Sequence, residues 1–330
     1  MIRIEEQESW NLNNIQRTSR EEFLIWINEK NKLHDIVACP FCKSNNLVEI
    51  SNVDRFGLSF KALQCKDCNL VSTSPQIKEE YLPEYYDKFY HPLIFGETEA
   101  KDFLFNSTQG EKIYKLISKY IPNSTNNLRI FEVGAGSGSN LKGFSEYAKK
   151  FNINCSLEGL EYSTTYVEKA KKDNIILYTN DLNSYVKKTK SKFDIIILSH
   201  VFEHVTQPVK FLESIKKLMH ENTILYIEVP GILSLHKNQA YRGLLKRYLV
   251  HAHIYHFTAE SLERMLIKNG FIPEFINENV ESVFKINNTN IEIALKHTSN
   301  IPLYLYNLNK YKIIYKILFY IKKVRNKLIG

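Results

Sequence analysis

Four of the five cysteines lie in two pairs with the same internal spacing. Cys39 and Cys42 stand in "CPFC", and after 22 intervening residues Cys65 and Cys68 stand in "CKDC". Thiolates separated by two residues on a tight turn can share one tetrahedral ion, and the intervening length suits a small β-ribbon. Because cysteine fills all four positions, we expect a closed, structural zinc site rather than a catalytic one.

Three glycines at alternate positions form the second motif, in "RIFEVGAGSGSN". Gly134, Gly136 and Gly138 follow an apolar run that ends in Glu132 and Val133. Such a turn brings backbone N–H groups and a helix N-terminus against a ligand. A Walker A loop would end in Gly-Lys-Ser/Thr, and a dinucleotide fingerprint would place glycine where this chain has Ser139. The turn therefore indicates a ligand other than a nucleotide phosphate chain.

Strand-like and helix-like segments alternate after this turn. The strand-like segments are "LRIFEV", "CSLEGLE", "NIILYTND", "FDIIILSH", "TILYIEV" and "IEIALKH". Helical segments are expected from about Asn140, Ser163, Pro208 and Ala259. The alternation predicts an α/β fold with a doubly wound, mostly parallel sheet.

An acidic residue closes the strand that follows the glycine turn. Glu161 lies 23 residues after Gly138, at a spacing that suits a carboxylate bonded to ribose hydroxyls. Glu158, three residues earlier, is expected on the opposite face of the strand and is the weaker candidate.

The pattern E-x-G-x-G-x-G resembles motif I of the class I S-adenosylmethionine-dependent methyltransferases. The resemblance implies a Rossmann-like fold of seven strands, with the cofactor seated over Glu132 and the three glycines. It places Asp181 against the adenine amino group, with Leu182 beside the ring. S-adenosylmethionine is accordingly the expected methyl donor.

The segment "FDIIILSHVFEHVTQP" resembles the "EH" segment of many bacterial members of this superfamily. The resemblance implies that Ser199 and His200 lie against the cofactor, while Glu203 and His204 face the cleft. Glu203 and His204 could instead be a salt-bridged helix cap. The segment therefore supplies His204 as a candidate general base.

The later segment "HAHIYHFTAESL" extends the resemblance. His253 falls where the subfamily has a histidine, and His256 follows it closely. The acid that usually precedes that histidine is replaced by Ala252. His253, His256 and His204 are thus the candidate catalytic residues, with His253 or His204 as the base.

The segment "LQCKDCNLVSTSPQIKEEYLPEYYDKFY" is similar to the ribbon that precedes the methyltransferase domain in bacterial sugar and surface-glycan enzymes. This similarity implies methylation of a sugar or a nucleotide- or phosphate-linked glycan precursor, and we expect an O- or N-methylation because sugar C-methyltransferases with this ribbon carry a further large C-terminal domain for which this sequence is too short. The similarity also places Tyr86 near the bound ligands, with core packing as the alternative. An RNA base methyltransferase with a zinc module and a non-catalytic scaffold are the two alternatives.

An insertion from Gly231 to His256 holds basic residues and no acid. At the carboxyl edge of a parallel sheet it would grip an anionic acceptor, with Arg242 and Arg247 as the expected contacts. A solvated basic helix is the alternative explanation for the same residues.

Basic residues also concentrate at the C-terminus. Residues 303–330 hold seven Lys and Arg and no acid, out of a net charge of +8 for the chain. The rest is therefore close to neutral, which makes nucleic acid an unfavoured partner. Apolar residues share one face of a helical wheel in this tail, as expected for a helix on an anionic membrane. A helix docked on the body of the protein or on a partner subunit would show the same pattern.

These patterns predict five regions: a helical extension (1–35), the zinc ribbon (36–75), a helical linker or cap (76–122), the methyltransferase domain (123–300) and a basic amphipathic helix (301–330). Within the extension, Ser19 and Glu22 predict the start of an amphipathic helix. No run of apolar residues reaches the roughly 18 needed to span a bilayer. We expect a cytoplasmic protein, peripheral on the inner face of the membrane through 303–330.

Overall fold

The computed structural model describes residues 1–4, 9–29, 31–97, 108–238, 240–287 and 300–310. It divides into two compact units. The described residues of the first unit are 1–97, 230–262 and 300–310, and those of the second are 108–229 and 263–287, less the gaps just given.

The second unit is built on a seven-stranded sheet. Its strands, in chain order, are β1 (Asn127–Val133), β2 (Asn154–Leu160), β3 (Ile176–Tyr178), β4 (Phe193–Ser199), β5 (Met219–Glu228), β6 (Phe271–Ile276) and β7 (Glu281–Ile286). The order across the sheet is β6-β7-β5-β4-β1-β2-β3. The five strands from β1 through β5 all run parallel to one another. Strand β7 is antiparallel to both β5 and β6. The doubly wound, mostly parallel sheet of seven strands is thereby confirmed.

Helices link the strands of this unit, as a parallel sheet requires. They are Thr108–Ile117, Ser139–Ala148, Thr164–Lys171, Leu182–Lys188, Pro208–Lys217 and Ala259–Lys268, the last beginning in the first unit. Short 3-10 turns lie at Ser118–Tyr120, Lys149–Phe151 and Phe202–His204. The segment "IEIALKH", expected to be a strand, lies outside the described residues.

The core of the second unit is apolar and closely packed. Ile130 of β1 and Ile195 and Ile197 of β4 are fully buried, and Phe144 of the helix Ser139–Ala148 packs with them. The helix Thr108–Ile117 approaches this helix so closely that a Cβ on Gly110 would lie 2.1 Å from the carbonyl oxygen of Asn140. This tight core holds the strand ends that form the candidate site.

The first unit contains a four-stranded sheet that carries the cysteines. Its strands are Leu47–Ser51, Lys61–Cys65, Val71–Ser74 and Tyr255–His256. The last strand comes from the insertion and pairs antiparallel with Val71–Ser74. The range 123–300, predicted as one domain, therefore includes residues 230–262, which the structure groups with the cysteine sheet.

Helical segments and a second, two-stranded sheet complete the first unit. The helices are Asn14–Asn28, Leu82–Tyr85, Tyr86–Tyr90 (a short π-helix), His91–Phe95, Leu245–Tyr248 and Ile301–Lys310. Two 3-10 turns lie at Glu79–Tyr81 and Ile232–Ser234. Strands Leu33–His34 and Gln76–Ile77 pair with each other. The helical part of the first unit has an aromatic core that includes Phe23, Trp26 and Phe89.

The first helix begins earlier than Ser19. Asn13 is its N-cap: its side chain accepts the Gln16 N–H, and the Gln16 side chain accepts the Asn13 N–H. Ser19 is buried inside the helix. The expectation at Ser19 was wrong because an earlier residue makes the complete capping box.

The described part of the C-terminal tail is a helix that packs within the first unit. Asn300 caps Ile301–Lys310 by accepting the Leu303 N–H, and Ile301 and Leu308 are buried. The hydroxyl of Tyr304 lies 3.0 Å from Nδ1 of His236. Residues 311–330 lie outside the described residues, so the predicted membrane or partner contact of 303–330 stays a prediction. Among the helices that are described, none combines the length and apolar character needed to cross a membrane.

Candidate cofactor site and cysteine centre

The glycine turn lies at the carboxyl edge of the sheet, directly after β1. All three glycines have left-handed backbones, with φ of 68° at Gly134, 54° at Gly136 and 79° at Gly138. A Cβ on Gly134 would lie 2.7 Å from Val201, but one on Gly136 would have no described heavy atom within 4 Å. The turn thus requires glycine and presents Gly136 to open space.

Glu161, the residue expected to bond ribose hydroxyls, lies beside this turn. One carboxylate oxygen accepts the Gly136 N–H at 2.8 Å and the other accepts the Ser163 N–H at 2.9 Å. Each oxygen can accept a second hydrogen bond, so the carboxylate can also take two donors from a ligand. Glu158 is held elsewhere, by Arg129 and Tyr178.

Asp181 is the N-cap of the helix Leu182–Lys188. Its carboxylate accepts the Ser184 hydroxyl at 2.6 Å and the Ser184 N–H at 2.9 Å. These hydrogen bonds lower the pKa of Asp181, so its carboxylate is ionised at neutral pH. Leu182 is buried. Contact of either residue with adenine stays a prediction.

Ser199 is the last residue of β4, and His200 follows it, beside Glu228, the last residue of β5. The Ser199 hydroxyl donates to Glu228 at 3.3 Å, and the His200 N–H donates to the Glu228 carbonyl at 2.8 Å. His200 has a left-handed φ of 55°. Its Nε2 lies 3.9 Å from Oε1 of Glu228 and its Nδ1 lies 3.5 Å from Oε1 of Glu203. Desolvation lowers the pKa of His200, but Glu203 and then Glu228 outweigh it and raise this pKa to about 9.

Glu203 and His204 form the 3-10 turn that follows β4. Glu203 is only 1% exposed, and His204 Nε2 lies 3.9 Å from its Oε1. This His–acid contact resembles the orienting pair of a general base. The pair also agrees with the simpler explanation, a local ion pair, that the sequence left open.

Glu132 is buried beneath the glycine turn. Asn140 donates to its Oε1 at 2.8 Å, and Oε2 has no hydrogen-bond partner among the described residues. Burial, and then the charges of Glu161 and Glu228, raise the pKa of Glu132 to about 8. Glu132 is therefore largely protonated at neutral pH and supports the turn from below.

The four paired cysteines converge on one point in the first unit. The sulfur atoms of Cys39 and Cys68 are 3.5 Å apart, those of Cys42 and Cys65 are 3.4 Å apart, and all four lie within 4.8 Å of one another. The residues after Cys42 and Cys68, Lys43 and Asn69, both have left-handed backbones that close the two turns. A hydrogen bond with Cys68 and the N–H groups of Cys42 and Phe41 lower the pKa of Cys39 to about 5, against burial. Four thiols at this separation fit a tetrahedral zinc ion.

The insertion is tied into the first unit by two buried histidines. His251 Nδ1 lies 2.7 Å from Asp54, and His251 Nε2 lies 3.1 Å from the Tyr85 hydroxyl. His256 Nε2 lies 3.2 Å from the Thr73 hydroxyl, which also donates to the carbonyl of His253 at 2.7 Å. His256 is 1% exposed, whereas His253 is half-buried. Of the two, His253 is the more accessible.

The expected acceptor residues differ in their surroundings. Arg242 is exposed, at a left-handed φ of 52°. Arg247 instead donates to the carbonyls of Ser9 and Ala240. The Tyr86 ring packs 5.0 Å from that of Tyr90. Contact of Arg242, Arg247 or Tyr86 with an acceptor stays a prediction.

Comparison with known protein families supplies the identity. The family model described as a methyltransferase domain matches residues 105–273, just over half of the chain. The chain belongs to this methyltransferase family. Together with the glycine turn, this membership makes the enzyme an S-adenosylmethionine-dependent methyltransferase. No curated protein matches the chain.

Solved structures similar to this methyltransferase are distant in sequence. An S-adenosylmethionine-dependent methyltransferase from Archaeoglobus fulgidus is 19% identical, with 71% of this chain and 92% of that chain covered and a TM-score of 0.39. The plantazolicin methyltransferase BamL is 18% identical, with 64% and 78% covered and a TM-score of 0.41. The 1,6-didemethyltoxoflavin-N1-methyltransferase of Burkholderia thailandensis is 11% identical, with 67% and 95% covered and a TM-score of 0.44.

Two features of the structure were not predicted from the sequence. Glu228 collects hydrogen bonds from Gln109, Tyr226 and Ser199 on one oxygen, at 2.7, 3.1 and 3.3 Å. Its position at the end of "TILYIEV" was the available signal, since the ends of neighbouring parallel strands meet at one edge. The role of His251 as a buried partner of Asp54 had no sequence signal, because the two lie 197 residues apart.

Proposed function

We propose that this methyltransferase acts on an oxygen or nitrogen atom of an anionic sugar, such as a nucleotide- or phosphate-linked precursor of a bacterial surface glycan. A capsule, an O-antigen or a flagellar glycan is the class of product. The observation that carries the proposal is the exposed positive charge of the insertion, which has no acid of its own to neutralise it.

The charge of the insertion concentrates around one turn. Lys237 and Arg242 are exposed on either side of it. Burial, and then the charge of Arg242, lower the pKa of Arg247, so the two guanidinium groups act on each other. A phosphate or carboxylate on the acceptor would relieve this repulsion and gain charge-assisted hydrogen bonds.

S-adenosylmethionine, when bound, supplies an electrophilic methyl group on a sulfonium. The residues of this chain need only align the acceptor and take up its proton. His204 and His253 are the candidate bases. Glu203 lies 3.9 Å from His204 and would stabilise the imidazolium once His204 holds the proton.

The cysteine centre is proposed as a structural zinc site in the same protein. All four sulfurs converge, and the strand Lys61–Cys65 contributes to the sheet that holds the insertion strand Tyr255–His256. Zinc would thereby fix the sheet on which the insertion is anchored.

Methyl incorporation from labelled S-adenosylmethionine tests the acceptor. We expect labelling of nucleotide sugars or sugar phosphates, and a several-fold higher KM for the Arg242→Ala variant with little change in kcat. Arg17→Ala, at an exposed arginine of the first helix, is the matched control. Labelling of transfer RNA alone would overturn the glycan proposal in favour of an RNA base methyltransferase.

The same assay tests the base. His204→Ala or His253→Ala should lower kcat by about 10² to 10⁴ where the histidine is the base. His220→Ala is the control, because His220 lies on β5 against Asp194 at the amino end of β4. An unchanged kcat in both variants would show that neither His204 nor His253 is the general base.

A further inference from the structure

Each of four neighbouring parallel strands carries a glutamate at or just beyond its carboxyl end. In sheet order these are Glu228 at the end of β5, Glu203 after β4, Glu132 in β1 and Glu161 after β2. The glycine turn follows β1, in the middle of this row. Any ligand seated on the turn therefore lies in the field of these carboxyl groups.

Two of the glutamates are buried with unsatisfied oxygens. Glu203 and Glu132 are each 1% exposed. Within the described part of the unit only one oxygen of Glu132 and neither oxygen of Glu203 has a hydrogen bond, although Nδ1 of His200 lies 3.5 Å from Oε1 of Glu203. Buried carboxyl groups of this kind are costly unless a cation or donor approaches them.

The other two glutamates each accept several hydrogen bonds. Glu228 accepts hydrogen bonds from Gln109, Tyr226 and Ser199, all on Oε2, which leaves Oε1 facing His200 at 3.9 Å. Glu161 accepts two backbone N–H groups. Hydrogen bonds to a carboxylate stabilise its charge.

The charges in this row do not cancel. Glu161, Glu203 and Glu228 are three carboxylates, whereas His200, whose pKa is raised to about 9, contributes one positive charge. Glu132, whose pKa is raised to about 8 by burial and by Glu161 and Glu228, is largely neutral at pH 7. The edge of the sheet around the turn is therefore negative.

We propose that Glu228, with Glu203 and Glu161, makes the enzyme bind cationic S-adenosylmethionine more tightly than S-adenosylhomocysteine. The two ligands differ by the methyl group and by the sulfonium charge that methyl transfer removes. A negative edge attracts the ligand with net charge +1 and has no such attraction for the neutral product. The arrangement thus favours release of product after each turnover, and it rests on the use of this cofactor.

The size of the effect follows from Coulomb's law. At an effective dielectric constant of about 20, one carboxylate about 12 Å from a unit positive charge changes affinity by roughly tenfold. Removing one negative charge should therefore change the ratio of the two dissociation constants by about that factor. A residue with a purely structural role would weaken both ligands alike.

The experiment is calorimetric titration of the full chain with S-adenosylmethionine, S-adenosylhomocysteine and sinefungin, in which a protonated amine replaces the sulfonium methyl. We expect the wild type to favour both cationic ligands, and the Glu228→Gln variant to lose about tenfold of that preference. Glutamine keeps an acceptor oxygen for Gln109, Tyr226 and Ser199. Asp194→Asn, at the opposite end of β4, removes a charge of the same sheet and should leave the ratio unchanged.

Glu203→Gln provides a second variant if Glu228→Gln does not fold, and the same loss of preference is expected for it. A wild type that binds the product as tightly as the donor, or an unchanged ratio in both variants, would overturn the inference while leaving the cofactor assignment intact. Failure of the wild type to bind any of the three ligands would overturn both.

Discussion

Nδ1 of His251 lies 2.7 Å from Oδ2 of Asp54, and both side chains are almost fully buried. The other oxygen of Asp54 accepts the N–H groups of Phe56 and Leu58 in the loop between two cysteine-sheet strands. The His251 ring is also stacked against Phe23 at 4.8 Å. One buried contact thus joins the insertion, the loop and the first helix.

Removing the charge of Asp54 should therefore destabilise the protein. In Asp54→Asn one carboxylate oxygen becomes an NH2 group, which faces either the N–H groups of Phe56 and Leu58 or the ring of His251. Two donors then face each other in either orientation, so we expect the free energy of unfolding to fall by about 3 kcal/mol. Denaturant titration followed by circular dichroism measures it. Asp35→Asn, at an exposed position, is the control. A loss below about 0.5 kcal/mol would mean that the contact adds little to stability.

Glu132 predicts a dependence of stability on pH. Burial, with Glu161 and Glu228, raises its pKa to about 8, above the ordinary value of 4.5, so the folded state holds this proton more tightly than the unfolded state does. The stabilisation is complete below pH 4.5 and is lost as the pH rises through 8. Glu132→Gln keeps a neutral side chain, so its unfolding free energy should fall less than that of the wild type between pH 5 and 8. Parallel curves for the two proteins would contradict a raised pKa.

The cysteine centre should hold about one zinc ion per chain. Cys68→Ser should lower the zinc content and destabilise the cysteine sheet, because metal binding there is coupled to folding. Cys155→Ser is the matched control, since this fifth cysteine lies in the sheet of the other unit. Elemental analysis that finds no zinc in protein purified without chelator would contradict the site.

The structure divides the C-terminal tail into two parts that can be tested separately. Truncation after Lys310 removes six basic residues and should abolish binding to anionic vesicles while the fold stays stable. Truncation after Ser299, which also removes buried Ile301 and Leu308, should lower stability by about 3 kcal/mol. If the protein truncated after Lys310 still binds vesicles, residues 311–330 are excluded as the membrane contact.

Local patterns in the sequence predicted the elements that rest on local chemistry. The glycines and each of the two cysteine pairs carry their signal within a few residues, whereas Glu161 was identified by its spacing from the glycines. The structure places the Glu161 carboxylate against the Gly136 N–H. The predicted start of the first helix was wrong by several residues. Two capping sequences competed there, and Asn13 forms both hydrogen bonds of the capping box with Gln16.

Features that depend on distant parts of the chain could not be predicted in this way. The insertion strand Tyr255–His256 pairs with a strand more than 180 residues earlier, and His251 reaches Asp54 across a similar separation. The basic insertion illustrates the result. Its sequence shows eight basic side chains, but burial and carbonyl contacts remove His251, His256 and Arg247 from that set.

The seating of the cofactor on the glycine turn is tested most directly by the Gly136→Ala variant. A Cβ at Gly136 meets no described heavy atom within 4 Å, so it costs only the strain of a left-handed alanine, roughly 1 kcal/mol. Gly243→Ala is the matched control, with a φ of 68° and its nearest described neighbour at 3.7 Å. Calorimetric titration with S-adenosylmethionine should show binding to the wild type and to Gly243→Ala, and affinity at least tenfold weaker for Gly136→Ala. Equal affinity in all three proteins, or no binding to the wild type, would contradict the account.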